Sequence, residues 1–196
     1  MTAKFQITRA DILPLATYAA ERKALRQDIR QVKNRRRVEV GPFATFYFEN
    51  YQTMWHQVHE MLYIEKGGDE QIAGELAAYN PLIPKGHELV ATVMFEIDDE
   101  VRRAVILRKL GGIENHMFIT VGGATIRAKP EGDVERTKAD GKTSSVHFVR
   151  FPFTDAQVAS FKKAGAQAIV GFDHPEYGHM AVIPETNRQA LAEDFA

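Results

Sequence analysis

Phe118-Ile119-Thr120-Val121-Gly122-Gly123-Ala124-Thr125-Ile126-Arg127 sits in the middle of the chain. Apolar and β-branched residues flank a Gly-Gly pair. That pattern predicts two strands joined by a two-residue primed turn, because glycine takes the positive φ such a turn demands. Antiparallel pairing is therefore local at the centre of the sequence. Working outward, His87 to Ile97 alternates as a strand, with Leu89, Ala91, Val93, Phe95 and Ile97 on one face and Val90, Thr92, Met94 and Glu96 on the other. Arg37 to Asn50 reads as a second hairpin around Gly41-Pro42. Val146 to Phe151 and Ala166 to Phe172 read as further strands. Helical periodicity is confined to the two ends. The pattern predicts one α+β domain over residues 1–196, a mainly antiparallel sheet with helices at the N- and C-terminal ends. It lacks βαβ alternation and a Walker or Rossmann phosphate loop. The polar run 128–143 reads as a mobile loop.

Composition narrows the chemistry. The chain has 196 residues, 44% of them apolar, enough to bury a substantial core. Its 25 basic and 26 acidic residues balance, which argues against a dedicated nucleic-acid binder. Cysteine is absent, which removes disulfides, thiolate nucleophiles and cysteine-held metal clusters. No apolar run reaches membrane-spanning length and the first residues have no signal-peptide pattern, so the expected location is the cytoplasm. Charge is nonetheless uneven. Residues 21–37 carry eight basic side chains against two acidic ones, a net of +6, and residues 171–196 carry a net of −4. A solvated basic helix explains the first, and an anion or partner surface is the sharper alternative.

Candidate site residues follow from where polar groups fall on the predicted elements. Leu15, Tyr18, Arg22, Leu25, Ile29, Val32 and Arg36 recur at helical spacing, with Arg22 in mid-stripe. In a second helix, residues 51–66, Tyr51, Met54, Trp55, Val58, Met61 and Leu62 share a face with Glu65 near its centre. A carboxylate and a guanidinium on apolar stripes predict a buried Arg22–Glu65 pair, either an internal ion pair or a ligand pocket, with snorkelling to water at the helix ends as the alternative. His56 and Glu60 fall opposite and read as a solvated pair, so no metal site is expected there. In Asp173-His174-Pro175-Glu176-Tyr177-Gly178-His179, read as a loop, Asp173 is placed to orient His174 and Tyr177 to donate a hydrogen bond. Arg150 shares a strand face with Val146 and Phe148 and needs an anion or water.

The order Tyr18…Arg22…Arg26…Lys33…Arg35-Arg36-Arg37, then Phe48-Glu49-Asn50…Thr53…Gln57…Glu60-Met61-Leu62…Glu65, then Glu75-Leu76…Tyr79-Asn80…Ala91-Thr92 and Asp173-His174-Pro175…Tyr177 resembles the bacterial DUF3501 family over nearly the whole chain. The resemblance implies an accessory role in redox or oxidative-stress metabolism, with a redox or iron–sulfur protein as partner. It draws Glu49, Asn50, Thr53, Gln57 and Glu60 together as one polar row, alongside Arg22, Arg36, His174 and Tyr177. Two function classes follow. One is an accessory or small-ligand-binding protein that holds a small anionic ligand or docks a partner, with Arg22, Arg36, Glu49, Asn50, Gln57, Arg150 and Tyr177 as binding residues. The other is a carboxylate-based enzyme in which Glu60, Glu65 and His174 are catalytic, with iron, manganese or magnesium as the compatible metals. The cofactor stays open, no nucleic acid and no membrane are expected, and a homodimer is allowed.

Overall fold

The structure, a computed structural model, describes residues 4–132, 137 and 141–196. Strands β1 (Arg37–Val40), β2 (Ala44–Glu49), β3 (Glu88–Phe95), β7 (Val146–Pro152) and β6 (Lys129–Pro130) form a five-stranded sheet in the order β1-β2-β3-β7-β6. Strands β5 (Ala124–Arg127), β4 (Met117–Val121), β8 (Ala168–His174) and β9 (Tyr177–Val182) form a four-stranded sheet in that order. Every pairing is antiparallel. The fold is α+β, as expected, with two sheets where the sequence suggested one.

The alternation along β3 shows how the layers stack. Leu89, Ala91, Val93 and Phe95 face the second sheet and share one core with Phe46, Phe151, Ile119, Val170 and Phe172. Phe46 and Phe172 meet across the layers at 5.1 Å. On the opposite face, Val90 and Phe148 pack under Met54 and Val58 of helix α2 (Tyr51–Glu65). Helix α1 (Leu15–Asn34) lies over α2, and α3 (Gly68–Tyr79) packs beside it. Helix α5 (Asp155–Lys162) starts at the capping box of Thr154 and Gln157, and α6 (Glu185–Ala192) follows Pro184.

Helix α4 (Glu100–Lys109), capped by Asp99, lies between β3 and β4 where no helix was expected. Its apolar side chains Val101 and Val105 face solvent and only Leu107 is buried, so it carries no stripe to detect. The segment 173–179, expected as a loop, is the end of β8, a Pro175–Glu176 turn and the start of β9. In the polar run 128–143, residues 133–136 and 138–140 lie outside the described residues. Its flanks form β6, paired to β7, and a bridge between Thr137 and Thr143.

Candidate functional site

Helix α2 begins where the sequence expected a polar row. Asn50 is its N-cap: Asn50 Oδ1 accepts from the Thr53 amide at 3.0 Å, and the Asn50 amide donates to Thr53 Oγ1 at 2.9 Å. This reciprocal box satisfies two orphan amides. Asn50 is thereby used by the helix start. The cap swings the chain sharply out of β2, so Glu49, Thr53 and Gln57 rise around one cleft of about 280 Å³. Its floor is the α2-facing side of the five-stranded sheet, with Tyr47, Thr92, Met94 and Phe148. Tyr79 and Lys33 close its sides. Glu49 is buried and accepts from Thr92 Oγ1 at 2.7 Å through Oε1. Its Oε2, the half-buried Gln57 amide and the Lys33 amine have no hydrogen-bond partner among the described residues.

Arg36 also touches this cleft, but its guanidinium faces the protein. It donates to the carbonyls of Phe48 (3.0 Å), Glu49 (3.1 Å) and Ala190 (3.0 Å) and to the Asp194 carboxylate. Four acceptors leave it little to offer a ligand.

The expected Arg22–Glu65 pair does not form. Glu65 is exposed and accepts from Gln71 Nε2 at 2.8 Å. It is the last residue of α2, where Ile64 is also solvent-facing, so the helix has already run past its neighbours. Arg22 instead grips Glu60 as a fork, Nε to Oε1 and Nη2 to Oε2, both at 2.8 Å. Tyr18 adds its hydroxyl to Oε1 at 2.7 Å, and Arg22 stacks 4.5 Å from the Tyr63 ring. The Arg22 bonds hold the Glu60 carboxyl down at about 2. Burial, then the bond to Glu60, push the Tyr18 phenol up.

Glu60 thus leaves the polar row. It lies seven residues beyond Thr53 on a similar bearing, but about 10 Å further along the axis, under α1 rather than over the cleft. His56, expected in solvent, is buried because α1 covers that face of α2. Both His56 ring nitrogens lack a partner among the described residues. Burial and the nearby charges of Lys33 and Arg26 bring it down to about 4, so it is neutral. His59 differs: Nε2 accepts from the Leu13 amide at 3.0 Å and Nδ1 contacts the Trp55 carbonyl at 2.8 Å, which assigns the proton to Nδ1.

The remaining candidates lie elsewhere. His174 is on the second sheet, where Nε2 contacts the Gly111 carbonyl and Nδ1 accepts from the Glu176 amide, both at 3.2 Å. Asp173 does not orient it. Neighbours on a strand point to opposite faces, and Asp173 turns to Arg127 and His116. The Tyr177 hydroxyl donates to Val40 O and accepts from the Phe43 and Ala44 amides, clamping the β1–β2 turn. Gly41 takes φ +68° beneath it, where a Cβ would stand 2.9 Å from that hydroxyl. Arg150 pairs with Glu88 at 2.9 Å and with the Pro81 carbonyl. The carboxylates of Glu49, Glu60 and Glu65 therefore turn to three different sets of partners. Among the described residues no three His, Asp or Glu side chains group as metal ligands. No helix among them is long and apolar enough to cross a membrane.

A family model described as "Protein of unknown function (DUF3501)" matches residues 6–195. The chain belongs to the DUF3501 family. It is also similar to a solved structure, a novel protein of unknown function from Burkholderia pseudomallei K96243, at 39% identity and TM-score 0.90. That match covers 97% of this chain and 100% of the other. Comparison with curated proteins gives no match. In this DUF3501 chain, Arg36, Glu49, Thr53 and Gln57, which the resemblance draws together, line the cleft, joined by Lys33 and Thr92 from the same motif order. Tyr47 and Met94 were not singled out. Thr92 stood on the correct strand face, and only a hydroxyl among apolar neighbours hinted at its role.

Proposed function

We propose that the protein binds a small organic ligand in the cleft between α2 and the five-stranded sheet. The observation that carries this reading is the set of polar groups the fold does not use. Glu49 Oε2, Gln57 and Lys33 face a concave surface floored by Met94 and Phe148. A few unsatisfied polar groups over an apolar floor are the usual composition of a ligand site. Glu49 accepts hydrogen bonds, Gln57 accepts and donates, and Lys33 supplies a positive charge. The accessory redox role and iron–sulfur partner implied by the resemblance gain no support from the relatives and stand outside this proposal.

Thermal-shift screening against a panel of small metabolites tests it. At least one compound should raise the Tm of the wild-type protein, since a ligand bound only by the folded state stabilises it. Gln57→Trp, which fills the cleft, should abolish that rise. A panel with no saturable binder, or a binder indifferent to Gln57→Trp, overturns the reading.

A further inference from the structure

Beside the cleft, a groove of about 750 Å³ runs along α1 toward β2 and α2. Its basic lining is Arg22, Lys23, Arg26, Arg30, Lys33 and Arg37, and no acidic residue lines it. Arg22 is taken by Glu60 and Arg37 by Glu39. Lys23, Arg26, Arg30 and Lys33 have no hydrogen-bond or ion-pair partner among the described residues. Arg26, Arg30 and Lys33 stand at successive turns of one helix face, and like charges at that spacing destabilise a helix. A bound anion removes that repulsion.

A second, independent feature lies in the same groove. His56 forms part of its wall, is only 7% exposed, and has both ring nitrogens without a partner among the described residues. A buried imidazole left unsatisfied costs the desolvation of its polar atoms, and such groups in native folds call for an explanation. A third feature fixes the geometry: Lys33 and Tyr47 line both the groove and the cleft, so the two spaces adjoin.

We propose that the α1 groove binds a phosphate-type dianion, the charged end of a ligand whose body lies in the cleft. The groove assignment stands on the cations and His56, and the body's placement rests on the cleft reading above. Two guanidiniums and two ammoniums suit a tetrahedral oxyanion with several acceptor atoms better than a single carboxylate. The cations line a bounded concavity between α1, α2 and β2, which favours a small anion over an extended polyanion. An imidazole N–H from His56 is the neutral donor beside them.

Isothermal titration with inorganic phosphate, at matched ionic strength in phosphate-free buffer, tests the groove. Wild-type protein should bind saturably. The double variant Arg26→Gln/Arg30→Gln, whose positions are exposed on α1, should keep its Tm and lose about tenfold or more in affinity. His56→Leu should leave the ligand-free Tm equal or higher, because an unsatisfied polar group is removed, and should weaken phosphate binding severalfold. Phenyl phosphate and a sugar phosphate should bind more tightly than phosphate, and Gln57→Trp should erase that gain while sparing phosphate itself. Absent phosphate binding, or binding unchanged in the double arginine variant, overturns the groove assignment. A lowered Tm with unchanged phosphate affinity in His56→Leu overturns the role given to His56. Arginine-dependent phosphate binding with no gain from any organic body upholds the groove and overturns the cleft.

Discussion

Glu60 keeps its charge because Arg22 and Tyr18 replace the water it loses under α1. Its carboxyl titrates at about 2 in the folded chain, below the ordinary glutamate value in the unfolded one. A depressed carboxylate contributes stability above the unfolded pKa and loses it as the pH falls through the folded one. The contribution is therefore full near neutrality and fades between about pH 4.5 and pH 2. Glu60→Gln should cost on the order of 2–3 kcal/mol at pH 7, and less at pH 2–3. Urea unfolding of both proteins at the two pH values measures this, and an equal difference at both removes the ion pair as the cause. The sequence made an arginine–glutamate pair legible, because charges on apolar stripes must be answered. It did not reveal which glutamate. Leu15 and Tyr18 share a hollow with His59 and Leu62, and Leu25 and Ile29 share one with Tyr51 and Trp55, so the helices run antiparallel and Arg22 meets Glu60 while Glu65 lies beyond its reach. Such a docking register arises between helices and leaves no trace within either.

Elements that close on themselves were the legible ones. The Gly-Gly hairpin and the Gly41-Pro42 hairpin are each specified within a few residues, and each forms. Helix α2 shows where local reading stops. Its wheel has one greasy face, which sets His56 and Glu60 in solvent. The helix is instead covered by the sheet on one side and by α1 on the other, and His56 is buried, as is His59. What local chemistry does specify in α2 is its start. Asn50 and Thr53 each satisfy the other's amide, so the two side chains act as one unit. Asn50→Ala and Thr53→Ala should each cost about 1 kcal/mol. The double variant should cost clearly less than the sum, because either change opens the box. Additive losses in chemical denaturation would show that the two bonds form independently. The cap also aims Glu49, so phosphomonoester affinity should fall in Asn50→Ala beyond the loss in stability.

Across the whole molecule, Arg36 ties together segments that no local signal connects. It leaves the end of α1 and reaches the carbonyls of Phe48 and Glu49 on β2, the carbonyl of Ala190 on α6 and the carboxylate of Asp194. The basic run of residues 35–37 looks uniform in sequence, yet Arg36 is buried while Arg35 and Arg37 are exposed. Alternation out of α1 into β1 selects the inward residue, and only the return of the acidic C-terminal segment explains why a cation is tolerated there. A lysine cannot match this arrangement, since one ammonium replaces a planar fork with fixed donor directions. Arg36→Lys should therefore destabilise the protein by about 3 kcal/mol or more, leaving buried carbonyls unanswered. Asp194→Asn should also destabilise, and the two changes should couple by about 1–3 kcal/mol in a double-mutant cycle. The coupling identifies the tie between the first and last helices as the source of the loss. Strictly additive effects would mean that the Arg36 contacts to β2 alone hold it, and that the C-terminal helix docks on its apolar face without help from this charge.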